Sequence, residues 1–370
     1  MGRYGDSSAR SARIARALVV GGLLAVLAGC RDESVAPSVP PTTAPALPEL
    51  LPPCGHSGPD VECFEAGLPD DRPEPGPTGP PQAGVPADAC GEGFSHDGEG
   101  CVADIDPDDC PPGELAHPAS PSCAPVAPCG SEPWGDVASG PNDLYVLASA
   151  ADGGDGSATA PFNRIASAVA AASDGDVIVI GSGTYTEDIV VDRAIALRGR
   201  CPALVTIEAT DIGVLVTAAA ELSGFAITGG ERALRVEATA QIDRLWIHDT
   251  EAGIRIDGND VAIRDTLLEN TGGNGILVRG SNTTIERSVV RGNIAVPWQG
   301  DVATEALFVN QGASATVRQS VFSNTEHTAL VVYDSELVLE DSVVRGTTHA
   351  SEKYLDGYGW PVGNTHPAFV

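Results

Sequence analysis

Six times after residue 212 the chain repeats one short phrase, a small residue followed by a three-residue apolar strand. The phrases are Gly213-Val-Leu-Val, Ala233-Leu-Arg-Val, Gly253-Ile-Arg-Ile, Gly275-Ile-Leu-Val, Ala306-Leu-Phe-Val and Ala329-Leu-Val-Val, spaced 20, 20, 22, 31 and 23 residues apart. A fixed period of this length is too short for an independent domain, and a unit this small cannot bury its own apolar face. Each unit also holds a second apolar stretch, opening at Leu222, Ile242, Ile263, Ile285, Val317 and Leu339. Its inward positions are read as the opening residue and the one five later: Ile242/Ile247, Ile263/Leu268, Ile285/Val290, Val317/Phe322 and Leu339/Val344. Alternation within the first strand points Ile254 and Ile256 inward and Arg255 outward. Asn270, Asn293 and Asn324, with Gly229, Gly292 and Gly346, stand at turns, where these residue types tolerate left-handed backbone. Strands of this length, stacked with a turn between them, predict a coil whose equivalent strands pair about 4.8 Å apart.

Charges follow the same period. After the opener of the second stretch, successive units carry Asp243, Arg264, Glu286, Arg318 and Glu340, then Arg244, Asp265, Arg287, Gln319 and Asp341. Alternating sign between stacked neighbours predicts a solvated, salt-bridged face. Four positions after the same opener the outward residue is apolar throughout: Trp246, Leu267, Val289, Val321 and Val343. This stripe predicts a contact with the C-terminal tail, with the cysteine-rich segment, or with a protein partner. The longest spacing inserts a loop, Ile294 to Glu305, carrying Trp298.

The repeat resembles the right-handed parallel β-helix superfamily of pectate-lyase-like solenoids. The resemblance begins at Asp152-Gly-Gly-Asp-Gly-Ser-Ala-Thr-Ala-Pro-Phe and continues through Gly175-Asp-Val-Ile-Val-Ile and Gly183-Thr-Tyr-Thr-Glu. It implies an all-β solenoid over 177–349, preceded by a capping helix within 141–176. Pro161 suits that helix's first turn, with Ile165, Val169 and Ala172 on one face. A solenoid end exposes strand edges, so some cap is physically required. The 350–370 tail carries Trp360 and no helical pattern, and either folds back over its end or leaves it to another chain.

Upstream, the composition changes twice. Residues 1–29 carry four arginines and an apolar run from Ala17 to Gly29, too short to span a bilayer, so they read as an export signal. It ends Leu27-Ala-Gly-Cys30, which resembles the lipobox of bacterial lipoproteins; Cys30 would then be acylated and the protein held at the outer membrane of the cell envelope. Residues 34–89 hold 15 prolines, a composition that cannot bury a core and predicts an acidic tether across 30–89. Of nine cysteines, eight remain after Cys30, an even number suited to disulfides in an oxidising compartment. Neighbour pairing (Cys54–Cys63, Cys90–Cys101, Cys110–Cys123, Cys129–Cys201) is the simplest of 105 connectivities. Covalent closure would stand in for a core in the module at 90–140. With no CxxC pair, zinc is a poor alternative.

The net charge of −30 excludes a nucleic-acid binder, since phosphate neutralisation needs clustered Lys and Arg. Pectate lyases of this superfamily bind calcium through clustered carboxylates with an Arg or Lys as base, and polygalacturonases use several Asp with a His; neither motif is present. The nearest substitute is Asp257, Asp260 and Asp265 as calcium ligands, with Arg255 or Arg264 as base. Trp246 and Trp298 are candidates for stacking on a sugar ring. The expectation is therefore a binding or structural role towards polysaccharide, with no required cofactor; the alternative is a polysaccharide lyase or hydrolase, calcium-dependent if a lyase.

Overall fold

The computed structural model describes residues 90–347 except 91–92, 97–100, 105–108, 119, 138–139, 141, 259, 299–300, and gives residues 101–102, 296–298 and 301–303 by backbone alone. The expected export signal, Cys30, the tether, Cys54, Cys63 and the 350–370 tail lie outside the described residues.

From Leu144 onward the chain winds as a solenoid with three parallel sheets as walls. The first sheet has eight strands, from Gly183–Thr186 to Val343–Arg345; the second has seven, from Ile189–Val191 to Thr328–Tyr333; the third has nine, from Leu144–Val146 to Glu336–Glu340. Every turn contributes one strand to each wall, in register with its equivalents. Ile242 pairs with Leu222 and Ile263, and Ile247 with Ile227 and Leu268. The interior is a continuous aliphatic column including Leu222, Ile242, Ile263, Ile285 and Val317 from the third wall and Ile227, Ile247, Leu268, Val290 and Phe322 from the first. Each such side chain, once fully buried, contributes about 1.5–3 kcal/mol.

What the sequence presents as one second stretch is two strands meeting at a corner. Ile242 lies in the third-wall strand Ala240–Asp243, whereas Ile247 lies in the first-wall strand Trp246–His248. An odd spacing of five keeps both inward because the residue between is left-handed: Arg244, Asp265, Arg287, Gln319 and Asp341 all have φ between 45° and 51°, and Gly224 precedes them at 74°. The small residue that follows serves the same corner. Thr266, Ser288 and Ser320 donate backbone N–H to the hydroxyls of Ser288, Ser320 and Ser342 one turn on, at 3.1–3.3 Å. At the next corner Asn270, Asn324, Gly229, Gly292 and Gly346 are left-handed as expected. Asn293 is not: it is buried and donates its amide to Thr271 Oγ1 at 2.8 Å, while Gly292 takes the turn.

One helix, Ile165–Ala171, closes the N-terminal end, burying Ile165, Ala168 and Val169. Pro161 is not in its first turn. It lies before the N-cap residue Arg164, and Phe162 bridges to Val146 instead. The helix is capped from the following coil: Glu187 accepts from the backbone N–H of Ile165 at 2.7 Å and of Ala166 at 3.0 Å, an acid at the positive end of the helix.

The cysteine-rich segment belongs to the same compact unit as the solenoid. Cys110 bonds Cys123, and Cys129 bonds Cys201, as neighbour pairing expects. Cys90 is also disulfide-bonded, and the side chain of its expected partner Cys101 is not described.

Candidate functional site

The outward stripe of the first wall is covered, and the chain itself covers it. Leu115, in the loop closed by Cys110–Cys123, and Val126, just after it, form a second apolar cluster with Leu267, Val289 and Val321, and Trp246 and Val343 pack at its margin. Of the three occupants expected for this stripe, the cysteine-rich segment is the one that takes it. Beneath this strap lies a buried ion pair. Glu269 and Arg291 are each only 7 % exposed. They stand at paired positions on successive strands, and Arg291 Nε donates to Glu269 Oε1 at 2.9 Å. Arg291 also donates to the carbonyls of Pro111 at 3.1 Å and Glu114 at 3.0 Å, while Glu269 Oε2 accepts from Gly113 N at 2.9 Å and Trp246 Nε1 at 2.7 Å. Six groups from strap and solenoid thereby satisfy one another, as burial of charge requires. At its other end the strap is held by Arg200, which donates to the carbonyls of Cys129 and Gly130 and to Glu132, at 2.9–3.1 Å, beside the Cys129–Cys201 bond.

The second wall carries a different surface. Its central outward position reads Leu215, Arg235, Arg255, Leu277, Phe308 and Val331 along successive coils. All six are half-buried. Arg235 and Arg255 are direct neighbours in the ladder, an exception to the sign alternation on the third wall, because like charges opposite one another repel. Asp257 lies between them. Arg255 donates to it at 2.7 and 3.2 Å, and Arg235 and Arg279 approach it at 3.7 and 3.6 Å. Glu237 holds Arg235 at 2.5 Å. A fourth guanidinium, Arg232, opens the strand Arg232–Val236 that carries Arg235, and its charge is felt with those of Arg235, Arg255 and Asp257. Its Nη1 is buried without a hydrogen-bond partner. Burial, then the neighbouring Arg255 and Arg235, push Arg232 below the usual arginine range, against a smaller pull from Asp257.

The sequence-chosen carboxylates do not converge. Asp257 directly follows the second-wall strand Ile254–Ile256, among three arginines; Asp260 opens a third-wall strand, exposed, with Asn282 at 3.4 Å; Asp265 is the left-handed corner residue, held bidentately by Arg287 at 2.7 and 2.8 Å. Arg264 pairs with Glu286 at 3.1 Å, in the alternating ladder read from the sequence. These residues do not fit a calcium site: two of the three acids are already neutralised by guanidinium groups, and the three occupy different positions around the coil. Among the described residues no group of three or more His, Cys, Asp or Glu is placed to hold a metal ion.

Trp246 is not free to stack on a sugar. Its ring lies against Gly113, where an added Cβ would meet it at 3.3 Å, and it stacks on His248 at 4.1 Å. Trp298 lies on an inserted hairpin, Val296–Trp298 paired antiparallel with Asp301–Ala303. Sequence reasoning missed Arg235 and Arg279, which join Arg255 on Asp257, and Arg232 beside them. The signal was the same outward residue, Arg, in two consecutive phrases, Ala233-Leu-Arg-Val and Gly253-Ile-Arg-Ile.

Residues 223–361 match the family model described as the right-handed β-helix region. Solved structures similar to the chain include a rhamnogalacturonan lyase, 14 % identical with a TM-score of 0.41, covering 58 % of this chain and 64 % of its own. Another is pectate lyase Pel9A, 13 % identical with a TM-score of 0.39, covering 56 % of this chain and 77 % of its own. The chain thus spans less than two thirds of the rhamnogalacturonan lyase. No curated protein matches it in sequence.

Proposed function

We propose that the protein is a polysaccharide-binding module of the cell envelope, and that the outer surface of its second wall is the binding face. One observation carries this reading: that wall presents guanidinium and apolar side chains in a single file, one per coil, from Leu215 to Val331. Side chains about 4.8 Å apart along a straight rod suit a linear polymer, whose successive residues offer alternating apolar faces and polar edges. The first wall is occupied by the strap and the third wall by its own ion pairs. Binding is favoured over catalysis because Asp257, the acid of this face, is engaged by three arginines, which hold it as a charged carboxylate rather than a proton donor.

The test is a panel of neutral and acidic polysaccharides titrated calorimetrically into the purified protein, wild type and Arg255→Ala. Binding that weakens at least tenfold in the variant supports the reading; no binding to any polymer refutes it. Calcium-dependent appearance of unsaturated sugar product would replace it with the lyase alternative. The anchor belongs to the same proposal: Leu27-Ala-Gly-Cys30 supports acylation at Cys30, and a Cys30→Ser chain that still takes up labelled fatty acid in cells would remove it.

A further inference from the structure

The patch on the second wall has more positive charge than its own acids neutralise. Among the described residues Arg235, Arg255 and Arg279 pair with Asp257 and Glu237 while Arg232 pairs with no acid, an excess of two positive charges. This excess stands on a domain segment, residues 141–370, with 30 acids and 15 bases. Asp257 is already paired with Arg235, Arg255 and Arg279, and Glu237 with Arg235. Arg232 forms no ion pair among the described residues, yet it is partly buried, its Nη1 has no hydrogen-bond partner, and Arg255, Arg235 and Asp257 are the charges that act on it. Clustering like charges in partial burial is unfavourable unless something answers them. Guanidinium groups converging on one point form the geometry that tetrahedral oxyanions accept through paired N–H donors.

We propose that Arg232, with Arg235 and Arg255, seats a doubly charged tetrahedral oxyanion, a sulfate or phosphate ester carried by the polysaccharide ligand. This deepens the binding reading above and rests on it for the polymer, though not for the anion. A carboxylate, carrying one charge, leaves half of the excess unanswered; a dianion neutralises it. The apolar Leu277 and Phe308, next along the same file, would receive the adjoining sugar faces.

Two measurements test this. In the first, thermal unfolding of the full protein is followed at equal ionic strength in chloride, acetate, sulfate and phosphate, for wild type, Arg232→Gln and Arg232→Lys. Sulfate strengthens burial in any protein, so the variants supply the baseline. The expected result is that sulfate and phosphate raise the wild-type Tm beyond the rise in Arg232→Gln, that acetate does not, and that Arg232→Lys falls between. Equal rises in all three proteins overturn the anion seat. In the second, a sulfated polysaccharide, a phosphorylated one and polygalacturonate are titrated separately, the first two identifying which ester the site takes. The ester-bearing polymers should bind wild type about tenfold more tightly than polygalacturonate, a preference lost in Arg232→Gln. Response to inorganic sulfate without binding of any polymer sinks the polysaccharide reading and leaves the anion seat standing. Polymer binding indifferent to ester groups and to Arg232→Gln does the reverse.

Discussion

Replacing Arg291 by Met tests how the strap is held. The substitution keeps the aliphatic stem and removes the guanidinium that contacts Glu269, the Pro111 carbonyl and the Glu114 carbonyl. Glu269 is then left 7 % exposed, with only the Gly113 and Trp246 N–H groups for its charge. Removing one partner of a buried pair costs about 3–5 kcal/mol, because the survivor stays desolvated without its counter-charge. The two strap carbonyls also lose their donor, each worth roughly 1 kcal/mol when water replaces it imperfectly. A loss of about 5–7 kcal/mol in chemical unfolding is expected, a Tm drop of roughly 10–28 °C for a unit of this size. Hydrogen exchange should place the loss first at Gly113, Leu115 and Val126. The double variant Glu269→Leu/Arg291→Met should recover much of the loss, since it removes the stranded charge along with its partner. A single-variant loss below about 1 kcal/mol, or a double variant no better than the single, would refute the claim that this pair is desolvated.

Other outcomes can be checked as directly. Exchanging Cys129 and Cys201 for Ser opens a loop with a sequence separation of 72, and chain entropy puts the loss at about 4 kcal/mol by denaturant titration. Gly199→Ala places a Cβ 2.3 Å from the Gly224 carbonyl, so a backbone shift costing about 1–3 kcal/mol is expected from the same titration. Tyr185 donates to the Gly181 carbonyl at 2.8 Å in the N-terminal coil, and burial raises its phenol above the ordinary 10.0. Its contribution is complete below pH 10 and lost as pH climbs above that; Tyr185→Phe should flatten the alkaline decline of Tm. His117, on the strap, is lowered by burial, with Asp265 pulling it up and Arg287 pushing it down. Its contribution is present above pH 6.5 and lost as pH falls through the lowered folded value, so exchange at strap amides should quicken under acid unless His117 is replaced by Phe.

The legible part of the molecule was the part governed by the period. Ile242 and Ile247, or Val317 and Phe322, could be assigned inward from spacing alone because each coil repeats the environment of the last. The corner between them was not separable into two strands, since Arg244, Asp265 and Arg287 are not residues that advertise a left-handed backbone; neighbouring coils impose it. The alternating charges of the third wall were equally readable, being a nearest-neighbour property. Glu269 and Arg291 were not: on sequence they resemble any solvated pair, and their burial comes from a strap some 150–180 residues earlier in the chain. Arg232 was missed for a related reason. The like charge that acts on it lies one coil on, at Arg255, and becomes visible only when the ladder register is known.

The strap also decides where a pull on the protein would be felt. Its Cys110–Cys123 loop rests on the coils of Leu267, Val289 and Val321, whereas Cys129 is fastened at Cys201, far nearer the N-terminal cap. Tension applied upstream of Cys110 therefore enters midway along the rod, through Glu269 and Arg291. Once that contact gives, the Cys129–Cys201 bond stops the chain before force can reach the capping helix at Ile165–Ala171. Stretching by single-molecule tweezers should show one short early step, abolished in Arg291→Met, and then a rigid rod until the disulfide is reduced. A protein held from one end would thus yield by a small, reversible slip while the winding of its coils stays intact.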